Sequence, residues 1–339
     1  MPRRKSQTLA LVTVLSLSSV LYAQSYHLNK LTSNVKGQAP NTDAKLINGW
    51  GIAYSPGNPF WVSDAGAGLS TLYDGNGVKQ SLTVTIPAAS GTGKGSPSGI
   101  VYNGSSQFKI DAWVSQFIFA TLDGTISGWS TFSHSAAPLA VNNSGSRTSY
   151  TGLAITSKTS GNRLFAADNA NNKIDVYDGN FNFVTSISDS TIPAGFSVFG
   201  VQDIKGKVYV SYAAKNGGAG DYIDIFTEAG VFVKRFTSGA PLNQPWGFAL
   251  APATGFGPLS GTLIIANNTA TSTISGFNMT TGKLVGTITD ATGKPIKIDQ
   301  LWGIEFGGGT TANGSKTTLY FAAGPKNFTQ GLFGSINFK

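Results

Sequence analysis

A glycine followed by a large apolar residue recurs six times along this chain, as Gly51-Ile52, Gly99-Ile100, Gly152-Leu153, Gly200-Val201, Gly247-Phe248 and Gly303-Ile304. The spacings between successive glycines are 48, 53, 48, 47 and 56 residues. Self-similarity at such a period marks arrays, solenoids and propellers, and it constrains the fold before any local structure is considered.

Each glycine opens a unit with the same further parts, and the third unit shows them best. There Gly152-Leu153-Ala154-Ile155 is followed by Leu164-Phe165-Ala166-Ala167-Asp168, then Lys173-Ile174-Asp175-Val176-Tyr177-Asp178, then Phe183-Val184-Thr185-Ser186-Ile187. Turn-forming stretches such as Asn169-Ala170-Asn171-Asn172 and Asp178-Gly179-Asn180 separate these strand-like runs. Four short antiparallel strands in about fifty residues, repeated, is the arithmetic of a propeller blade. The second-strand run returns as Phe60-Trp61-Val62-Ser63-Asp64, Val208-Tyr209-Val210-Ser211, Leu263-Ile264-Ile265-Ala266-Asn267 and Leu319-Tyr320-Phe321-Ala322-Ala323. Near-continuous apolar runs suit strands covered on both faces by neighbouring blades. Blade two is the least regular; Phe117-Ile118-Phe119-Ala120 and Thr125-Ile126-Ser127-Gly128-Trp129 are its expected second and third strands.

Counting strands also predicts how the ring closes. The sixth unit ends after its third strand, Leu332 to Asn337, while Tyr26 to Leu31 forms a strand-like segment ahead of the first unit. That segment is expected to pair as the outer strand of blade six. The fold class is therefore all-β, a six-bladed β-propeller with four-stranded antiparallel blades, spanning residues 24–339 as one domain.

Composition agrees with many short strands and tight turns. Hydrophobic residues make up 40% of the chain, enough for a substantial core, but charged residues only 12%, about half the usual share in soluble proteins. Ser, Thr, Asn and Gly fill the difference. Arg3, Arg4 and Lys5, the apolar run Leu9 to Leu21 and then Ala23-Gln24 read as a signal peptide over residues 1–23. Three of the formal +8 charges belong to that leader, which leaves +5 on the mature chain. The cationic residues that remain are scattered, so a nucleic-acid partner is not expected. No later run is long enough for a transmembrane anchor, and the absence of cysteine excludes both disulfides and a lipobox. The expected location is secreted or periplasmic.

The segment Ala167-Asp168-Asn169-Ala170-Asn171-Asn172-Lys173-Ile174-Asp175-Val176-Tyr177 resembles the NHL-type propeller repeat. In that repeat an Asp ends the second strand and an Asn-basic-Ile run opens the third. Taken whole, from Asn48 through Trp302-Gly303-Ile304 and Leu319 to Pro325, to Leu332-Phe333-Gly334, the chain resembles an uncharacterised family of exported bacterial six-bladed propellers. Some members carry a PEP-CTERM sorting tail, which this sequence lacks. The resemblance implies fold and export, and no activity.

In a propeller the turn entering each first strand and the turn joining the second and third strands lie on one face. The residues preceding the repeat glycines, Trp50, Ser98, Thr151, Phe199, Trp246 and Trp302, therefore ring one mouth of the central channel. Blades four, five, six and one contribute Phe199, Trp246, Trp302 and Trp50 as an aromatic arc. With amide neighbours such as Asn48 and Asn267, this arc suits a glycan, a peptide or another protein outside the cytoplasm, by stacking and hydrogen bonding. Alternatively, the tryptophans fill the wedges between blades. Asp64, Asp168 and Asn267 end second strands, where an Asx turn competes with a polar or metal site. Glu305 stands two residues past its repeat glycine, in a register where only Gln202 is also polar. Desolvation there would raise its pKa unless a cation or water meets it.

Enzymatic readings meet absences. Only His27 and His134 exist, so a multi-histidine zinc site cannot be built. Asn48-Gly49-Trp50 stands where calcium-dependent propeller lactonases place an acidic residue, although Glu305, Asn267 and Asp64 remain as hard oxygen ligands for calcium. Gly93-Lys94-Gly95-Ser96-Pro97 breaks the nucleophile-elbow pattern, and the Gly91 to Gly95 stretch has no helix after it to cradle phosphate. Three readings remain: a binding propeller, a metal-assisted hydrolase or lactonase-like enzyme, and a cell-surface scaffold with no small ligand.

Overall fold

The computed structural model describes residues 24–156 and 161–339, together with Met1. The leader expected over residues 1–23 lies, apart from Met1, outside the described residues. Among the described residues, no helix is long and apolar enough to cross a membrane.

Six sheets form the ring, and each repeat glycine lies in the innermost strand of one of them. Those innermost strands are Gly49–Tyr54, Pro97–Tyr102, Tyr150–Thr156, Phe196–Ile204, Pro245–Leu250 and Leu301–Phe306. Every blade runs antiparallel from the channel outward. In blade two the second and third strands are Phe117–Thr121 and Thr125–Trp129, as the sequence predicts. A small two-stranded hairpin, Lys109–Ile110 with Trp113–Val114, interrupts the path between its first two strands.

The repeat glycine has a steric cause. A Cβ on Gly51 would lie 2.5 Å from the Ser98 carbonyl oxygen, one on Gly200 2.5 Å from that of Trp246, and one on Gly247 2.5 Å from that of Trp302. Innermost strands of successive blades thus touch backbone to backbone, and only glycine permits that approach. On Gly303 the same atom would meet the Trp50 carbonyl at 2.7 Å, so blade six closes onto blade one.

Closure uses the N-terminal strand, as the sequence predicts. Tyr26–Ser33 pairs antiparallel with Leu332–Phe338 and completes blade six, and Asn41–Thr42 then adds in parallel to its outer side. Tyr26 is anchored by its hydroxyl, which donates to the Phe256 carbonyl at 2.9 Å.

Apolar clusters fill all six wedges between blades. They are built from Ile, Val, Leu, Phe and Tyr, with Trp61 and Trp129 in the wedge between blades one and two. Full burial of each such side chain contributes about 1.5–3 kcal/mol, so these wedges hold the ring together in the absence of disulfides.

Candidate functional site: the aromatic mouth of the channel

The residue ahead of each repeat glycine is aimed by a local irregularity. In every blade the pairing of first and second strands slips register there, for example between Gly49 and Ile52, Pro245 and Gly247, and Leu301 and Ile304. A bulge of this kind takes one side chain out of the in-out alternation and turns it toward the channel. Two positions earlier, Asn48, Gln244 and Gln300 adopt left-handed backbone, with φ of 51°, 55° and 50°. Blades one, five and six thus enter through the same local shape, Asn or Gln, any residue, then Trp and Gly.

The rings meet over the channel axis. Trp50 and Trp302 stack with centroids 3.6 Å apart, and Trp246 sets its edge against both, at 6.1 and 5.8 Å. Phe199 approaches Trp302 at 5.7 Å, and Phe328 covers Trp302 from the turn between the second and third strands of blade six, at 5.6 Å. Two of these contacts join blades that are not neighbours: one with five, four with six. The Trp246 indole reaches further still, its Nε1 donating to the Thr151 carbonyl of blade three at 2.8 Å. Trp50, Trp246 and Trp302 therefore form a cap across the mouth and leave the wedges to the other apolar clusters.

Trp50 and Trp302 are only 5% and 4% exposed, whereas Trp246 and Phe199 are half-buried. Trp302 Nε1 donates to Asn48 Oδ1 at 2.9 Å. The buried Trp50 Nε1 has no hydrogen-bond partner among the described residues. A buried donor left unpaired costs about 1–3 kcal/mol, so any acceptor that reaches this N–H is favoured.

Beside the cap lies a cleft of about 360 Å³ whose walls include Phe199, Asn169, Lys215 and Gln244. The Gln244 amide is fixed by donating to the Ala214 carbonyl at 2.7 Å, and Asn169 by donating to the Val198 carbonyl at 2.6 Å. The cleft is therefore preformed, with an aromatic wall, amide groups and one exposed ammonium.

Beneath the cap the channel narrows to a cavity of about 30 Å³, lined by four of the repeat glycines, Gly51, Gly99, Gly247 and Gly303, and by Gln202 and Glu305. That space holds about two water molecules. Desolvation pushes the Glu305 carboxyl up to about 7, against a lesser opposing hydrogen bond from the Phe306 backbone. Burial, and secondarily the charge of Glu305, pushes the Tyr54 phenol up to about 12.

The remaining candidates are placed apart. Asp64 is fully buried and accepts from Thr71 Oγ1 at 2.8 Å, in a chain that continues through Tyr73 to Asp43. Desolvation holds its carboxyl well above the usual range. It does not line the cavity that contains Glu305. Asn267 clamps the loop entering blade five, accepting from the Asn243 backbone at 3.0 Å and donating to the Pro241 carbonyl at 2.8 Å. Asp168 forms the expected Asx turn, accepting from the Asn171 backbone at 3.3 Å. Among the described residues, no group of three or more His, Cys, Asp or Glu side chains gathers around a metal-sized space. Phe328 and Leu122, which complete the cap, escaped the sequence reading because they sit in turns outside the repeat register.

These features define a six-bladed β-propeller with one channel mouth closed by aromatic side chains. Among solved structures, the fold is similar to a gluconolactonase of Xanthomonas campestris, with a TM-score of 0.58, 13% identity and 87% of each chain covered. It is also similar to the soluble aldose sugar dehydrogenase of Escherichia coli, with a TM-score of 0.58, 12% identity and coverage of 92% and 99% of the two chains. Virginiamycin B lyase of Staphylococcus aureus gives a TM-score of 0.55 at 15% identity, covering 95% and 97%. Likeness at that identity shows the fold alone. No family model matches the chain. In sequence it is 31% identical to the uncharacterized protein R648 of Acanthamoeba polyphaga mimivirus, over 92% of this chain and 80% of that protein. It is likewise 31% identical to the uncharacterized protein L690 of the same virus, over 92% and 85%. The chain belongs to one family with these mimivirus proteins.

Proposed function

We propose that the protein is an exported binding propeller that takes a neutral polar ligand, a glycan or a peptide segment, at the aromatic mouth. One observation carries the reading: the rings of the cap meet across the channel, some from non-adjacent blades, and the cap is continuous, through Phe199, with a preformed cleft bearing amide groups. Stacking on half-buried rings supplies affinity, and fixed amides supply orientation. The unpaired Trp50 N–H supports the same reading, since a ligand oxygen or a bridging water reaching it removes a standing cost.

The test is an array of neutral oligosaccharides and peptides, probed with the wild type and with the double variant Phe199→Ala, Lys215→Ala. The expected result is a set of ligands retained by the wild type and lost by the variant, with the variant still folded. A blank array, or one unchanged in the variant, contradicts the reading. Export is tested separately by N-terminal sequencing of protein recovered outside the producing cell, with Gln24 as the expected first residue.

A metal-assisted hydrolase is the second reading, supported by Glu305 as an acid whose pKa is drawn near neutrality in the channel. If it holds, calcium or zinc raises the melting temperature of metal-stripped protein and Glu305→Gln abolishes that rise. A melting temperature indifferent to both ions rejects it.

A further inference from the structure

The face opposite the aromatic mouth carries a second concave surface, built where blade two departs from the repeat. A hollow of about 460 Å³ opens between blades one and two, with Trp61, Tyr102, Phe117 and Trp129 among its walls. A neighbouring hollow of about 420 Å³ lies against the inserted hairpin. The two share Tyr102, Gln116 and Thr131, so they form one continuous groove. At its edge Trp113 and Phe132 stack on each other with centroids 3.4 Å apart and planes 18° from parallel, yet they are 46% and 56% exposed.

This groove is held ready. Asn103, only 3% exposed, donates to the carbonyls of Gln107 and Ser115 at 3.0 and 2.9 Å and accepts from the Ser105 backbone at 3.0 Å, which fixes the loop bearing Trp113. The loop bearing Phe132 is fixed by Trp129 Nε1, which donates to the His134 carbonyl at 2.8 Å, and by reciprocal bonds between Ser130 and Ser133. Two exposed rings on immobilised loops have already given up the conformational freedom that binding would otherwise cost. Beside its rings the groove wall has apolar residues such as Pro56, Leu72 and Leu82, and its polar groups are amides and hydroxyls; among the described residues, Lys109 is its one charged group and no carboxylate lines it.

The geometry points to this groove as a carbohydrate-binding site for a neutral β-linked chain of pyranose sugars. All-equatorial pyranose rings present flat C–H faces that lie against Trp and Phe, while their hydroxyls suit Gln116, Thr131 and Ser130. A polyanionic ligand finds a single ammonium here and a cation finds no carboxylate. The site lies on the far side of the molecule from the mouth and does not depend on the reading of the mouth.

The experiment is calorimetric titration of the mature chain with cellohexaose and with chitohexaose, alongside a proline-rich peptide of similar length. At least one hexasaccharide binds the wild type; Trp113→Ala and Phe132→Ala each weaken it at least tenfold, and Trp113→Tyr restores most of the affinity. Both rings are exposed, so the melting temperature of these variants stays that of the wild type. Repeated in the Phe199→Ala, Lys215→Ala background, where the mouth no longer contributes, the titrations give the same tenfold losses, which separates the two sites. Absence of binding to both sugars, binding indifferent to Trp113→Ala and Phe132→Ala, or binding of the proline-rich peptide alone overturns the assignment.

Discussion

At the mouth of the channel six equivalent positions divide two against four, a hydroxyl side and an aromatic side that perform different tasks. In blades two and three the position holds Ser98 and Thr151, whose hydroxyls donate to the backbone of the next blade: Ser98 Oγ to the Tyr150 carbonyl at 2.5 Å, and Thr151 Oγ1 to the Phe199 carbonyl at 2.7 Å. In blades four, five, six and one it holds Phe199, Trp246, Trp302 and Trp50, which leave the wall and meet one another across the axis. The bulge and the glycine are common to both sides, so the backbone only sets where a side chain emerges. Side-chain size then decides whether it stitches neighbouring blades or caps the channel. Trp246, donating to the Thr151 carbonyl, ties the two sides together.

Trp302→Ala strikes the aromatic side at its centre, since Trp302 touches Trp50, Trp246, Phe199 and Phe328 and satisfies Asn48. The expected loss is about 3–5 kcal/mol of unfolding free energy, measured by denaturant titration. A loss below 1 kcal/mol would mean that the cap is dispensable packing.

Close approach of the blades is graded around the ring, and glycine substitution sharpens this. Gly200→Ala pushes a Cβ to 2.5 Å from the Trp246 carbonyl, whereas at Gly152 the nearest atom, the Val201 nitrogen, is 3.2 Å away. Gly200→Ala should cost about 1–3 kcal/mol, and Gly152→Ala distinctly less, in the same titration. Equal costs would contradict the steric account of the repeat.

Glu305 lies beneath the cap and makes stability depend on pH. Its folded pKa, about 7, is raised above the ordinary 4.5 by desolvation, so the native state keeps a proton that the unfolded chain has lost. The associated stability is complete below about pH 4.5 and is lost as pH rises through 7. Glu305→Gln should therefore match the wild type at pH 4 and exceed it at pH 8 by on the order of 1–2 kcal/mol, part of the shift being screened by channel water. Melting curves at the two pH values decide it.

On the hydroxyl side, Thr151→Val removes one bond to blade four at nearly constant volume. A loss of about 1 kcal/mol is expected, with no change in ligand retention on the array.

The ring was legible in the sequence because its cause is steric and repeats: a glycine wherever two innermost strands touch, and a strand count that leaves blade six one short. The direction of the tryptophans was not, since it depends on a register slip combined with left-handed Asn48, Gln244 and Gln300, and a left-handed Gln has no strong sequence signal. The motif of Asn or Gln two residues before Trp-Gly stands in the chain three times and is recognisable once its geometry is known. The register of Glu305 among mostly small, apolar neighbours is visible in the sequence, and desolvation there pushes its carboxyl up. The partnership of Asp64 with Thr71 and, through Tyr73, with Asp43 was not legible, because it joins the second strand to the third and to the segment ahead of blade one. The groove on the opposite face lies on an insertion that breaks the repeat, where periodicity carries no information.

The most direct test of the mouth as the binding site is fluorine NMR of protein labelled with fluorotryptophan, whose six indoles sample both faces of the ring. The ligand is the array compound lost on substitution of Phe199 and Lys215. The account predicts shifts in the Trp50, Trp246 and Trp302 resonances, assigned by single Trp→Phe variants, with Trp61, Trp113 and Trp129 unmoved. Shifts confined to the latter three, or none at all, would contradict it.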